Sequence, residues 1–464
     1  MLKPLPIAVA LSALIALPAA HAGVDLIAVD GLSSSQSDLS TETAAPLENG
    51  VPGNQLGGIG SGLAYAGNGT FLALPDRGPN AVSYNAAVSD TTSYIDRFQT
   101  ITMSLAPAAP GSALPFELTP VLAATTLLHA SDNLAYGKGA SAGLGNGAPA
   151  LNAANATHYF TGRSDNFNAR LISTHSLDAR LDPESIRVNN DGQSVFVSDE
   201  YGPYIYQFDR ATGLRTHAWT LPGKFAVSHL DAVGDNEISG NTAGRVANKG
   251  MEGLAISPDG RFLVGAMQSP LLQDGGTAAA YTRIVRLDLA TGRVREYAYP
   301  LTNIGTASKP KYPTVSEILA VNDHVFLVDE RDGKGFGDGS TAAYKMVYRI
   351  DLWGADTVNT ISGEAQLAPH ALTKTPFLDL VANLGAHGIA ATEVPAKLEG
   401  MAFGPDVHIG GVRKHTLFVA NDNDFVPTVT DSLHPSGAPN PNLFYVFAFG
   451  AADLPGYQAQ ALGD

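Results

Sequence analysis

EGLAISPDGRFLVGAMQ, residues 252–268, opens on an acid, runs through a short apolar segment, turns at Pro-Asp-Gly and returns through a second apolar segment. Two such runs joined by a glycine-containing turn read as a β-hairpin. The same pattern starts at Gly62 (GLAYAGNGTFLALPDRG), Glu184 (ESIRVNNDGQSVFVSDEYG), Glu317 (EILAVNDHVFLVDERD) and Glu399 (EGMAFGPD, then HTLFVANDND after an insertion). An internal repeat of this kind sets the architecture before any local propensity does.

Third strands follow most hairpins: Tyr204–Phe208, Ile284–Leu287, Met346–Ile350 and Leu443–Phe447. Two of them run into Asp-x-Ala-Thr-Gly turns and a fourth strand, Arg215–Leu221 and Val294–Tyr299. Four strands per unit with Gly and Asp turns make the blade of a β-propeller. The expectation is therefore an all-β chain forming a single propeller over residues 23–464. Six blades are expected within a range of five to seven, the sixth degenerate between about Arg97 and Arg180. Val24–Val29 is expected to pair with the last blade and close the ring. The glycine-rich stretches 31–60, 130–157, 223–250, 331–343 and 423–441 are expected as long loops on one face.

Residues 1–22 carry Lys3, the apolar LPIAVALSALIALP and then Ala20-His21-Ala22, the pattern of a secretory signal peptide. No other segment approaches a membrane-spanning length. The chain contains no cysteine, which excludes disulfides and thiol catalysis. A net charge of −16 argues against nucleic acid or an anionic membrane as partner. A periplasmic or secreted protein acting on a small anionic or ester substrate is the expectation, with the oligomeric state open.

Hairpin geometry brings the start of each first strand beside the end of the second. Glu184 then lies near Asp199 and Glu200, Glu317 near Asp329 and Glu330, and Glu399 near Asn421 and Asp422. Carboxylates gathered at one end of a ring must either hold protons or share a cation. Calcium, with six to eight oxygen ligands, suits such a set. Glu184, Asp199, Glu317, Asp329 and Asp422 are the candidate metal ligands, and Glu252 and Glu399 the candidate catalytic carboxylates. Arg77, Arg163, Lys249 and Arg331 are the candidate substrate contacts, since a guanidinium fork seats a phosphate or carboxylate. No Gly-x-Ser-x-Gly or His-Glu-x-x-His occurs.

GIGSGLAY with LPDRGPN, LDPESIRV with VSDEYGPYIYQFD, NKGMEGLAISPDG, and KLEGMAFGPD with VANDNDF together resemble the bacterial phytase-like family described as having esterase-like activity of phytase. The likeness runs from about residue 57 to 448. It implies an exported β-propeller, loosely related to calcium-dependent propeller phytases and similar to gluconolactonase-type propellers. It also implies that Glu184, Glu252, Glu317 and Glu399 form the metal or catalytic face, with Arg77 a substrate contact. With 28 basic against 44 acidic residues, a substrate as heavily phosphorylated as inositol hexakisphosphate is disfavoured. The expected function is calcium-centred hydrolysis of phosphate or carboxylic esters. The alternatives are a non-catalytic propeller that binds a ligand or partner protein, and a gluconolactonase-like lactonase.

Overall fold

Each expected hairpin is formed, and each extends into a four-stranded antiparallel blade. The computed structural model describes residues 23–79, 84–137, 144–167, 176–231 and 233–463. The expected signal peptide over 1–22 lies outside the described residues. Blade one is built from Gly62–Tyr65, Thr70–Leu74, Arg97–Pro107 and Phe116–Leu127. Blade two uses Pro183–Val188, Ser194–Asp199, Tyr204–Asp209 and Arg215–Thr220. Met251–Ile256, Phe262–Met267, Tyr281–Asp288 and Val294–Pro300 form blade three. Blade four is Thr314–Ala320, Val325–Arg331, Lys345–Asp351 and Lys374–Asp379.

Blade five takes Leu398–Ile409, Val412–Asn421 and Asn442–Phe449, and its outermost strand is the N-terminal Asp25–Leu32. This pairing of the two ends of the chain closes the ring as expected, and closure protects strand edges that would otherwise invite pairing with other chains. The five blades lie within the expected range. The segment expected to hide a sixth gives blade one its two long outer strands and, among the described residues, the short helix Ala150–Asn155 and the pairing of His129–Ala130 with His158–Tyr159, with no further blade. Apolar residues of adjoining blades interlock into continuous layers, such as Leu327, Val347, Leu398, Met401 and Leu417 between blades four and five.

The first strands of all five blades meet around the central axis, each touching the next in ring order. Near the start of these strands a β-bulge interrupts the pairing in blades two to five, between Pro183 and Ile186, Met251 and Gly253, Val315 and Glu317, and Leu398 and Met401. Bulges re-aim side chains. Here they put Glu184, Glu252, Ser316 and Glu399 on one level at the mouth, and Gly62, Ser185, Gly253, Glu317 and Gly400 on the next level down. The second level is crowded. A Cβ on Gly253 would lie 2.7 Å from the Ile318 nitrogen, and one on Gly400 2.8 Å from the Gly60 carbonyl oxygen. Three glycines and a serine leave room for one long side chain, and Glu317 fills it.

One level lower the corresponding residues are Ala64, Arg187, Ala255, Leu319 and Ala402, again with one charged side chain among small or apolar ones. Arg187 Nη2 pairs with Glu317 at 2.8 Å, and its guanidinium donates to the carbonyls of Leu63, Ile186 and Ile318. Both side chains are buried, so the pair forms a septum across the channel. Beneath it lies an apolar cavity of about 100 Å³ lined in part by Leu63, Val188, Ile256, Leu319 and Phe403. The C-terminal segment crosses that lower mouth. The Gln458 and Gly463 N–H groups donate to the carbonyls of Val321 (2.8 Å) and Asn190 (2.6 Å), and the Gln460 amide donates to that of Val188 (2.7 Å).

Candidate active site

The upper mouth of the channel opens into a polar cavity of about 380 Å³. Its floor is set by the bulged strand heads, which present Glu184, Glu252 and Glu399. Loops that follow or precede the strands supply the walls: Asp76 and Arg77 after blade one's hairpin, Asn248 and Lys249 before blade three, Ile304 and Lys311–Thr314 between blades three and four, Arg331–Gly333, and Lys397. Acids and cations alternate around this rim. Arg77 Nη1 bonds Asp182 at 2.8 Å and also donates to Asn248. The Arg331 guanidinium pairs with Glu399 and, through Nε, donates to Ser316 Oγ at 2.7 Å. Lys397 Nζ reaches Asp422 at 2.7 Å and Asp424 at 2.5 Å.

Burial and crowding shift the acids together. Burial, then the neighbouring Glu252, Asp182 and Glu200, hold Glu184 well above the ordinary carboxylate range. Glu252 is raised for the same reasons, burial first and then Glu200 and Glu399, with Arg331 opposing. Glu200 and Asp76 are each pushed up to about 7, chiefly by burial. Glu252 is 3% exposed. Its Oε2 is buried with no hydrogen-bond partner among the described residues, and the nearby Gln268 side chain is a minor influence favouring the ionised carboxylate. Gln268 Oε1 accepts from Lys249 Nζ at 3.0 Å.

Of the residues singled out from sequence, Arg77, Glu184, Lys249, Glu252, Arg331 and Glu399 line this one cavity. The others lie elsewhere. Arg163 bonds Asp165 at 2.7 Å and Glu48 at 3.3 Å and borders a separate cleft beside blade one, so it is no contact of the central cavity. Glu317 does neighbour Asp329 in the strand pair, but the bulge puts it one level below the other glutamates, where Arg187 neutralises it. Asp199 accepts the N–H groups of Asp182, Tyr201 and Gly202. Its oxygens shape that turn, and it lies outside both the cavity lining and the acid cluster of Asp182, Glu184 and Glu200. Asp329 is fully buried beside Arg331 and Lys345 and is pushed up to about 8, chiefly by burial. Asp422 stands with Asp76 and Asp424 in a cluster whose counter-charge is Lys397.

Asp182, Lys311 and Lys397 sit in loops or before strand heads, where spacing is irregular, and Asp76 and Gln268, which close their repeat copies, were not among the site residues singled out. Asp182 matters most among them. Asp182, Glu184 and Glu200 each offer an oxygen within 4.8 Å of the others, and all three are buried. This all-oxygen set, next to the unpartnered Glu252 Oε2, fits a hard cation such as calcium and not a thiophilic metal. The Asp76–Asp422–Asp424 set is bridged by the Lys397 ammonium, as Asp182 is by Arg77.

Three comparisons place the chain among known proteins. An uncharacterized secreted protein of Arthroderma benhamiae is 31% identical over 208 residues, covering 39% of this chain and 40% of that protein's length. The periplasmic gluconolactonase PpgL of Pseudomonas aeruginosa aligns over 92% of this chain and 99% of its own, at 12% identity and a TM-score of 0.34. The Malassezia sympodialis allergen Mala s 1 aligns over 86% of this chain and 79% of its own, at 11% identity and a TM-score of 0.33. Likenesses at that level add nothing to the fold derived from the strands. The family model described as phytase-like, esterase-like activity of phytase, matches residues 54–425, and with most of the propeller inside that match the chain belongs to the phytase-like family.

Proposed function

We propose that this protein is an exported, calcium-dependent hydrolase of phosphate or carboxylic esters, with its active site in the upper cavity. The observation that carries the reading is Glu252 Oε2, a buried carboxylate oxygen without a partner in a cavity walled by paired acids and cations. An ionised carboxylate oxygen with no partner of its own is suited to accepting a proton from a water molecule in the cavity. Glu252 Oε2 would withdraw a proton from a water molecule as the water oxygen bonds the ester carbon or phosphorus. The ester bond to the leaving oxygen then breaks, and that oxygen receives the proton. Arg331 and Arg77, held by Glu399 and Asp182, are positioned to face the negative charge that develops. Asp182, Glu184 and Glu200 would hold calcium, which when bound supplies polarisation of the ester oxygen and neutralises the cluster. Export is supported by the leader-like pattern of residues 1–22 and by the secreted relative.

The test is turnover of p-nitrophenyl phosphate, p-nitrophenyl acetate and a simple lactone by the purified protein, with calcium and with chelator. Calcium-dependent turnover of at least one supports the reading, and the substrate hydrolysed separates phosphoesterase, esterase and lactonase. No turnover of any in either condition sinks it and leaves a binding propeller.

A stability signature is also expected. Asp76 and Glu200 titrate near about 7 in the folded chain, far above their unfolded values. The folded state therefore binds more protons than the unfolded one between those limits, and stability is lost as pH rises through the folded values. Calcium-free protein should melt at lower temperature at about pH 8 than at about pH 5.5, and saturating calcium should reverse that order. Melting curves at the two pH values, with calcium and with chelator, read both effects. Identical curves would mean that calcium does not engage these acids.

A further inference from the structure

Five cations line the upper cavity: Arg77, Lys249, Lys311, Arg331 and Lys397. Arg77, Arg331 and Lys397 are matched to Asp182, Glu399 and the Asp422–Asp424 pair. Lys249 and Lys311 are not matched to any carboxylate among the described residues. Lys249 gives one N–H to Gln268 Oε1, a neutral acceptor, and keeps two donors and its full charge. Lys311 stands on the loop between blades three and four, next to Tyr312 and Pro313, which also line the cavity. The uncompensated positive charge of the cavity thus lies on its blade-three side, where Glu200 of the acid cluster accepts the Gly250 N–H at 2.9 Å beside Lys249.

We propose that Lys249 and Lys311 form an anion subsite that seats one oxyanion group of the substrate, a carboxylate or a phosphate. This rests on the reading of the upper cavity as the substrate site and narrows the substrate to an ester with one such group directed at blade three. A single group is specified because only two ammoniums are uncommitted, and a polyphosphorylated molecule would bring more negative charge to a rim whose other cations are already neutralised. Gln268 is the positioning residue: it holds the Lys249 ammonium in the cavity that Glu252 also lines.

The test is calorimetric titration of inorganic phosphate and, separately, acetate into the full mature chain in calcium-containing buffer. The comparison is between wild type, Lys249→Met/Lys311→Met, and Lys309→Met as a control on the same loop outside the cavity. Neither cavity lysine makes an ion pair, so the double variant is expected to fold, and its melting curve checks this. Wild type and Lys309→Met should bind at least one of the two anions, and the double variant should lose about tenfold or more in affinity. The anion bound identifies the group as phosphate or carboxylate. Equal affinity in all three proteins, or no binding of either anion to wild type, overturns the proposal. Anion binding lost in the double variant but without ester turnover upholds the subsite and removes the hydrolase reading. Turnover with unaltered anion binding does the reverse.

Discussion

Replacing Glu252 by Gln is expected to lower kcat for the preferred ester by about 10²–10⁴-fold, the range associated with losing a general base. The substitution keeps the side chain's size and its contact with Gln268 and removes only the carboxylate that accepts the proton. It should not weaken the fold. Glu252 is held above the ordinary carboxylate range by burial and by Glu200 and Glu399, so its ionised form is a liability to the folded state at neutral pH. Calcium-free Glu252→Gln protein should therefore melt at the wild-type temperature or above it at about pH 8. Loss of activity without loss of stability separates a catalytic role from a structural one. A Glu252→Gln enzyme with near wild-type kcat would remove this residue from the mechanism.

Arg187→Met should be strongly destabilising. It strips the counter-charge from Glu317 in a place where both side chains are buried, at 4% and 0% exposed. Breaking a buried pair by removing one partner costs about 3–5 kcal/mol because the remaining charge has no compensation. Glu317 is already pushed up to about 7 by burial, with Arg187 as the leading opposing influence. Adding Glu317→Gln to Arg187→Met should recover much of the loss, since the orphaned charge is then gone. Urea denaturation of the two single variants and the double variant measures the coupling. Additive losses would show that the septum is not an energetic unit.

The propeller was legible because its hairpins repeat with intact turns: Asn-Asp-Gly at 190–192 and Pro-Asp-Gly at 258–260 mark where each pair of inner strands folds back. Ring closure by the N-terminal strand was legible for the same reason, as one apolar strand without a hairpin of its own. Blade number was harder to read, since RFQTITMSL looks like the start of a new unit and is in fact the third strand of blade one. The site was legible where it depended on strand heads. Glu184, Glu252 and Glu399 share the motif acid-small-apolar and share a level in the ring. Glu317 is followed by Ile318 and stands one position later, where the other blades have Ser185, Gly253 and Gly400, so the same bulge places it in the septum and not at the mouth. Periodicity cannot see that shift, which arises from how closely five strands can pack about an axis. Arg163 misled because an arginine in a polar loop is equally suited to a local pair with Asp165. Asp182, Gln268 and Lys311 stayed hidden because their importance lies in what the closed ring brings beside them.

The account stands or falls on whether a divalent cation and a substrate anion meet in the upper cavity. A crystal structure with calcium and phosphate, with the ion identified by anomalous scattering, examines this directly. Calcium bound by oxygens of Asp182, Glu184 and Glu200, with phosphate in the same cavity, is the predicted result. Calcium absent from the cavity at saturating concentration, or bound only on the opposite face of the ring, would contradict it.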